Sequence, residues 1–565
     1  MEIKEDVGPR RQAAEADRAR ADRPVLTPLR VVALLISLVS AAVGVVGLAT
    51  ADRGIERSSA VVAGVPVEVV RPTGTTGRLP GVVVAHGLAA SKQLMRGLAD
   101  TLTHRGYAVE LVDLAGGGAN TERLPDAGDG PAADARLARD LDVAVGHLRA
   151  MPWVDGARIG LLGHSMGAAA VLRYATAHPD IRATVAVSQG LMSPTGSASR
   201  PRDLLLLAGG LEFPGYREGA VDMLRAAFPQ GRAGATYGDP RAGTARRAVL
   251  VGGVEHVSVL FSPRTHREVA DWFDASFGHS ATGGHGVGIR PVQRAGSAML
   301  LHLAAVLSFG AIASVLLRRP AGPGRDRRRL PLPLALGVPA GAVLTAVAAM
   351  AVIPRHLLPL AVAGPLAGFF GVIGVVTLAV ALFARRADAG NGGVGSGGVG
   401  SGGVGSGGVG SGGVGSGGGR AWPVTAGAAV ALVLLTVVSF AVPAQLGWAH
   451  AVPVGPRPWA LIAVAACAAA TFGGVEALCA GYDRLAATMI HAWTAAGALA
   501  GLGVAGLLGI APALVLLVAP LLAALLVWQG VQAAALRALR APVWLTAIVG
   551  GVLLAWPIAV TMPIG

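Results

Sequence analysis

The sequence predicts an α/β domain with a mainly parallel sheet, plus an α-helical membrane part of about eight further spans. Three observations carry this. The 565-residue chain is 53% apolar, 4% aromatic and 14% charged, a balance that points to membrane spans. Residues 60–278 alternate short apolar runs with helical periodicity, the pattern of parallel strands joined by crossover helices. Gly163-His164-Ser165-Met166-Gly167 follows one such run and precedes a segment that reads as helix. In that context a G-x-S-x-G sequence holds its serine on a strained elbow.

Charge and cysteine content narrow the class. The net charge is +14 and rests on arginine, with Lys4 and Lys92 the only lysines. Because the arginines cluster beside apolar runs, they read as topology signals, not as a nucleic-acid surface. Cys467 and Cys479 both lie in an apolar run, so no disulfide framework, zinc site or other metal centre is expected. Residues 1–30 are polar and Arg-rich, a cytoplasmic basic tail. Residues 31–51 are uncharged and long enough to cross a bilayer. Ala49-Thr50-Ala51 resembles a signal-peptidase site, but the apolar core is longer than a usual signal core, so an uncleaved anchor is expected. The basic flank then stays in the cytoplasm and the next domain is exported.

Within the α/β domain, 55–280, Val67-Glu68-Val69-Val70 is an early strand, with Pro66 at its start where a missing N–H is tolerated. Gly81–Ala85 is a continuous apolar strand ending at His86-Gly87, and residues 91–104 read as helix. Tyr107–Val112 form the next strand, closing in Asp113-Leu114-Ala115-Gly116-Gly117-Gly118. Residues 133–150 are an amphipathic helix, with Leu137, Leu141, Val145 and Leu148 at helical spacing. After the Ser165 elbow, strands are expected at Ala183–Val187, Leu204–Ala208 and Ala248–Gly252, and a last helix over about 263–277. About sixteen residues, Ser188 to Asp203, separate two of these strands, too few for a lid domain. An open site tolerates bulky or surface-bound substrates.

A tether, 281–294, leads to spans near 295–317, 331–354 and 357–384. A cytoplasmic linker, 385–420, is followed within 421–565 by spans near 423–443, 458–480, 485–508, 511–533 and 541–563. The predicted cytoplasmic side receives the 318–329 loop with six arginines, then Arg385, Arg386, Arg420, Arg484, Arg537 and Arg540. The outer side receives Arg355 and Arg457. Pro331, Pro333 and Pro339 crowd one span and leave a re-entrant segment open as its alternative. Residues 392–416 are five copies of Gly-Gly-Val-Gly-Ser, a flexible coil of roughly 30 Å. The tract spells G-x-G-x-x-G by repetition alone, with no strand before it, so no dinucleotide site is read there. Among ionisable residues in the spans, His302, Glu476, Asp483 and His491 are weighed as functional by default. Glu476 and Asp483 lie near a cytoplasmic end and can reach the interface, and the two histidines can sit neutral in a helix bundle.

Residues 60–278 resemble an α/β-hydrolase. The resemblance rests on His86-Gly87 after one strand, Asp113-x-x-Gly116-x-Gly118 after the next, Gly163-x-Ser165-x-Gly167 at the elbow, and Glu212 and His256 following in the family's order. It implies a serine hydrolase in which Ser165 attacks, His256 takes its proton and Glu212 orients the imidazole. Family members more often carry Asp in the Gly209-Gly210-Leu211-Glu212 turn, which makes Asp222 the reserve candidate. By the same analogy the backbone N–H groups of Leu88 and Met166 supply an oxyanion hole. His86, Gly87, Gly163, His164 and Gly167 shape the motif, the last two glycines leaving room where a side chain would collide with the neighbouring strand or helix.

A lone serine in a Gly-rich turn is ordinarily structural, and so is a lone histidine after a strand. Five features in family order, each at the end of a strand or turn, make joint coincidence improbable. The resulting expectation is a multi-pass plasma-membrane enzyme with its α/β domain outside. It cleaves an ester, or second to that an amide, in a small-molecule or lipid substrate, with no cofactor and no nucleic-acid partner. Acyl transfer to an envelope alcohol is one alternative. A transporter or scaffold whose domain only binds ligands is another, and the complete Ser165–Glu212–His256 set argues against it.

Overall fold

The computed structural model describes residues 27–125, 130–190, 197, 199–279, 289–317, 329–354, 356–391, 425–512 and 514–565. Most of the basic tail, the Gly-Gly-Val-Gly-Ser tract, Arg355, Arg420 and the greater part of the tether and of the 318–329 loop fall outside them. Helix α1 (Pro28–Ala51) opens with a proline in the first turn, where no backbone N–H bond is lost.

The chain then enters a nine-stranded sheet: β1 (Ile55–Val62), β2 (Val65–Pro72), β3 (Leu79–Ala85), β4 (Ala108–Val112), β5 (Val154–His164), β6 (Ala183–Val187), β7 (Leu204–Gly209), β8 (Thr236–Tyr237) and β9 (Arg246–Val251). The spatial order is β1-β2-β4-β3-β5-β6-β7-β9-β8. The six strands from β4 across to β9 run parallel, and β1, β2 and β8 make antiparallel margins. The expected α/β class with a mainly parallel sheet is what forms.

Helices on both faces explain the continuous apolar runs of the inner strands. On one face α2 (Arg96–His104) and α6 (Pro263–Phe277) pack Leu98, Leu102 and Phe273 with Val82, Val84 and Leu162. On the other, α3 (Gly130–Ala150) and α4 (Met166–Ala177) pack Leu141, Leu148 and Val171 with Val83 and Leu161. Helix α5 (Pro214–Ala227) completes that layer with Met223 and Leu224.

Three local features depart from the apolar pattern. Strand β1 is an edge strand with most side chains in water, so no apolar run announces it. It is joined to β2 by Ala63-Gly64, both at positive φ, the two-residue turn that suits strand twist. Helix α5 buries only Ala220, Met223 and Leu224, too short a stripe to stand out. The helix expected over 91–104 begins instead as a 3-10 turn, Lys92–Met95.

One buried carboxyl makes stability depend on pH. Glu110 on β4 has His147 Nδ1 at 2.9 Å from Oε2, and its Oε1 has no hydrogen-bond partner among the described residues. Burial pushes this carboxyl from an ordinary 4.5 up to about 9, and burial also lowers His147. A neutral acid therefore donates to a neutral imidazole. The native state holds this proton more tightly than the unfolded chain, so stability is full below about 4.5 and declines as the pH rises through about 9. Glu110→Gln should flatten that decline. Thermal unfolding of the full chain in detergent micelles should show the variant gaining on wild type between about pH 5 and about pH 9; parallel curves would rule out this origin.

Eight further helices follow: α7 (Gln293–Leu316), α8 (Leu332–Met350), α9 (Ala363–Asn391), α10 (Ala426–Gly447), α11 (Arg457–Leu478), α12 (Arg484–Leu507), α13 (Leu514–Ala538) and α14 (Val543–Thr561). With α1, nine helices among the described residues are long and apolar enough to cross a membrane. Helix α8 continues through Pro339, so that stretch is a helix and not a re-entrant turn.

Contacts among the helix ends, and between them and the α/β domain, give the arrangement a polarity. Asp52, just after α1, pairs with Arg294 of α7 at 2.6 Å. Arg96 of α2 donates to Gln445 O at the end of α10. Leu360, ahead of α9, bridges to Ile564 after α14. Arg457, read from the sequence as an outer-side topology arginine, is fully buried as the first residue of α11. It donates to Ala559 O and Met562 O at the end of α14 and to Gly116 O of the α/β domain. Desolvated carbonyls at a helix end attract a cation, so this arginine marks a contact rather than a loop.

The ionisable residues singled out in the spans all have partners. His302 Nδ1 lies 2.8 Å from Ser439 O, and Asp483 caps α12 by accepting from Ala486 N–H at 2.9 Å. Glu476 pairs with Arg537, and His491 Nε2 meets Gln529 Oε1 at 2.5 Å.

Candidate active site

All parallel strands end on one edge of the sheet, and the loops there carry Ser165, Glu212 and His256. Ser165 lies between β5 and α4 with φ 53° and ψ −118°, a conformation that L-residues adopt only under constraint. The constraint is the close approach of three backbones. A side chain on Gly163 would strike the Gly167 carbonyl, and a Cβ on Gly167 would sit 2.6 Å from Ala85 O on β3. Ser165 N–H donates to Val187 O at 2.8 Å, which ties the elbow to β6.

His256, just past β9, meets both other residues. Its Nε2 lies 3.0 Å from Ser165 Oγ and its Nδ1 lies 3.4 Å from Glu212 Oε2. These partners assign the tautomer, with the proton on Nδ1 facing the carboxylate and Nε2 free to accept. Glu212 Oε1 accepts from Ser188 Oγ at 2.5 Å and from Gly209 N–H at 2.8 Å. Burial pushes the Glu212 carboxyl up, but the bonds from His256, Ser188 and Gly209 outweigh it and hold the group below its ordinary range. Asp222, the reserve acid, is exposed on α5.

Residues 80–219, about a quarter of the chain, match the family described as serine aminopeptidase, S33. The matched stretch begins in β3, includes Ser165 and Glu212, and ends in α5. The domain has the α/β-hydrolase fold. No curated protein matches the chain. Solved structures similar to it include a putative dienelactone hydrolase from Klebsiella pneumoniae, at 19% identity and a TM-score of 0.31, covering 40% of this chain and 99% of that one. A dienelactone hydrolase from Anabaena variabilis has 21% identity and a TM-score of 0.28, covering 40% and 100%. A predicted CIB-like hydrolase from Thermoplasma acidophilum has 18% identity and a TM-score of 0.30, covering 39% and 97%.

The other residues that the sequence singles out in the hydrolase domain surround this site. His86 Nδ1 donates to Gly87 O at 2.7 Å while its Nε2 accepts from Leu114 N–H at 3.0 Å, so the ring joins the β3 and β4 loops. Burial holds it below its ordinary pKa. His164 Nε2 donates to His256 O at 2.9 Å, and burial, with His256 nearby, lowers this ring to about 3. Both are neutral supports. A Cβ on Gly87 would lie 3.0 Å from Ser165 Cβ, so the loop carrying Leu88 comes right up to the serine. Met166 is the first residue of α4, where a helix has no internal acceptor for the N–H.

Three further residues at the site, Ser188, Tyr216 and Lys92, take part in no sequence motif. Ser188, at φ 56° after β6, donates to Glu212, and the Tyr216 ring centroid is 4.7 Å from that of His256. Neither residue belongs to a motif. Lys92 had a signal, as the only lysine beyond the basic tail. It is buried, with Nζ 2.5 Å from Asp113 Oδ2.

Proposed function

We propose that the chain is a membrane-tethered serine hydrolase that cleaves a carboxylic ester through an acyl-enzyme on Ser165. The observation that supports this most is His256, placed between Ser165 Oγ at 3.0 Å and Glu212 Oε2 at 3.4 Å. Ser165 Oγ attacks the ester carbonyl carbon as its proton passes to His256 Nε2. The imidazolium so formed draws on Glu212, whose carboxylate stays ionised. The Leu88 and Met166 N–H groups receive the oxyanion, each worth roughly two to three orders of magnitude in rate. When the C–O bond to the alcohol breaks, His256 returns the proton to the departing oxygen. Water then repeats the sequence: it gives its proton to His256, attacks the acyl carbon, and releases the carboxylic acid as Ser165 is reprotonated. An amide follows the same steps with a poorer leaving group and is the second choice.

The hydrolase domain is placed on the outer face of the plasma membrane. The support is the arginine asymmetry of the short loops, since Lys/Arg-rich loops are retained in the cytoplasm. Labelling of intact cells by a membrane-impermeant fluorophosphonate tests chemistry and sidedness together. The expected result is labelling at Ser165 that disappears in Ser165→Ala. Labelling only after the cells are opened would reverse the orientation, and labelling that persists in Ser165→Ala would move the nucleophile elsewhere.

A further inference from the structure

Resting on that hydrolase reading, we propose that the substrate is a bilayer-borne ester, an amphiphile whose acyl chain stays in or near the membrane while its carbonyl reaches Ser165. Two independent observations meet at this site. The first is where the hydrolase domain exposes apolar side chains. Among its described residues the exposed large ones are Val61, Leu88, Leu211, Phe213 and Val257. Four of the five adjoin the site: Leu88 follows Gly87, Leu211 and Phe213 flank Glu212, and Val257 follows His256. Leu211 and Phe213 are 69% and 74% exposed beside the acid of the site, and a cluster of exposed apolar side chains marks a ligand-binding or membrane-facing surface.

The second observation is what touches the same strand edge. The loop after β3 packs Ala89 against the core of the helix bundle, and Ser91 Oγ accepts from His450 N–H at 2.9 Å in the α10–α11 connection. In the loop after β4, Gly116 O accepts from Arg457 at 2.9 Å and from Ile564 N–H at 3.0 Å, and Leu124 N–H donates to Ile564 O at 2.9 Å. Trp448 and Trp556 pack at this end of the bundle, the Trp556 Nε1–H donating to Ala451 O at 2.9 Å. Tryptophans with a polar bond at a helix end mark the level where lipid meets water. The apolar rim therefore lies on the same strand edge as a membrane-docked surface. It fits an acyl chain delivered from the bilayer better than a solute delivered from water.

Proteoliposomes of the full chain in phosphatidylcholine test this with two esters of one leaving group. 4-Methylumbelliferyl acetate is offered from water and 4-methylumbelliferyl oleate from the vesicle. The double variant Leu211→Ser, Phe213→Ser should lower the oleate-to-acetate rate ratio by about tenfold or more. Both side chains are exposed, and continued fluorophosphonate labelling checks that the variant is folded. Val61→Ser, an equally exposed residue on β1, should leave the ratio where it was. An unchanged ratio in the double variant, or an equal shift in Val61→Ser, overturns the lipid-ester proposal. Retention of both rates in Ser165→Ala overturns the hydrolase reading instead, so the two failures are distinct.

Discussion

Ser165→Ala should lower kcat for a soluble activated ester by roughly a millionfold, leaving only what the oxyanion donors and binding contribute. The substitution removes one hydroxyl whose protein partner is His256 Nε2, and it keeps the backbone elbow, so the fold should survive. His256→Ala should cost as much, because nucleophile and base act as one unit and their losses do not add. Glu212→Gln should cost less, by one to two orders of magnitude. A glutamine oxygen can still accept from Ser188 and Gly209, but its amide faces His256 Nδ1 and favours the wrong tautomer. Steady-state rates on purified full chain, with folding followed by thermal unfolding, make the comparison. Full activity in Ser165→Ala would end the assignment.

The second large effect concerns stability. Asp113 is wholly buried and accepts from Lys92 Nζ at 2.5 Å, Lys92 N–H at 2.8 Å and Ala119 N–H at 3.0 Å. Burial alone would raise its pKa, but the Lys92 ammonium and the hydrogen bonds from Lys92 outweigh burial and hold it below the ordinary range. Asp113→Ala strands an ammonium in the interior, and such half-broken buried pairs lose about 3–5 kcal/mol. The loss should appear as a lower melting temperature for the full chain. Adding Lys92→Met should recover much of it, since removing both charges also removes the cost of burying them. If the double variant is no better than Asp113→Ala, the pair is not what the single change disturbs. A further expectation is reduced turnover in Asp113→Ala, because the same loop carries the Leu114 N–H that fixes His86.

Much of the fold is legible in the sequence. Strands buried on both faces must be apolar throughout, so Val82–Ala85, Leu161–Leu162 and Leu204–Ala208 identify themselves. Membrane helices need long uncharged runs, and those are equally visible. The juxtaposition of Ser165, Glu212 and His256 was also legible, because each follows an apolar strand, and parallel strands deliver their ends to one edge. Elements that bury little were not. β1 and α5 are largely wet, and solvent leaves no pattern on their sequences.

What the sequence determined by itself is thus whatever depends on local chemistry: a φ > 0 elbow that needs glycine on both sides, strands and spans that need continuous apolar side chains, an arginine asymmetry that needs only counting. What tertiary structure alone decided is which distant groups share a desolvated space. Lys92 and Asp113 lie 21 positions apart, Ser188 and Glu212 24, and Arg457 and Gly116 341. A lysine looks the same in sequence whether it is solvated or paired. Only the packed sheet, by excluding water from the loops at its carboxyl edge, makes the pairing obligatory. The same holds for the membrane helices, whose polar ends read as loop boundaries until the hydrolase domain is seated on them.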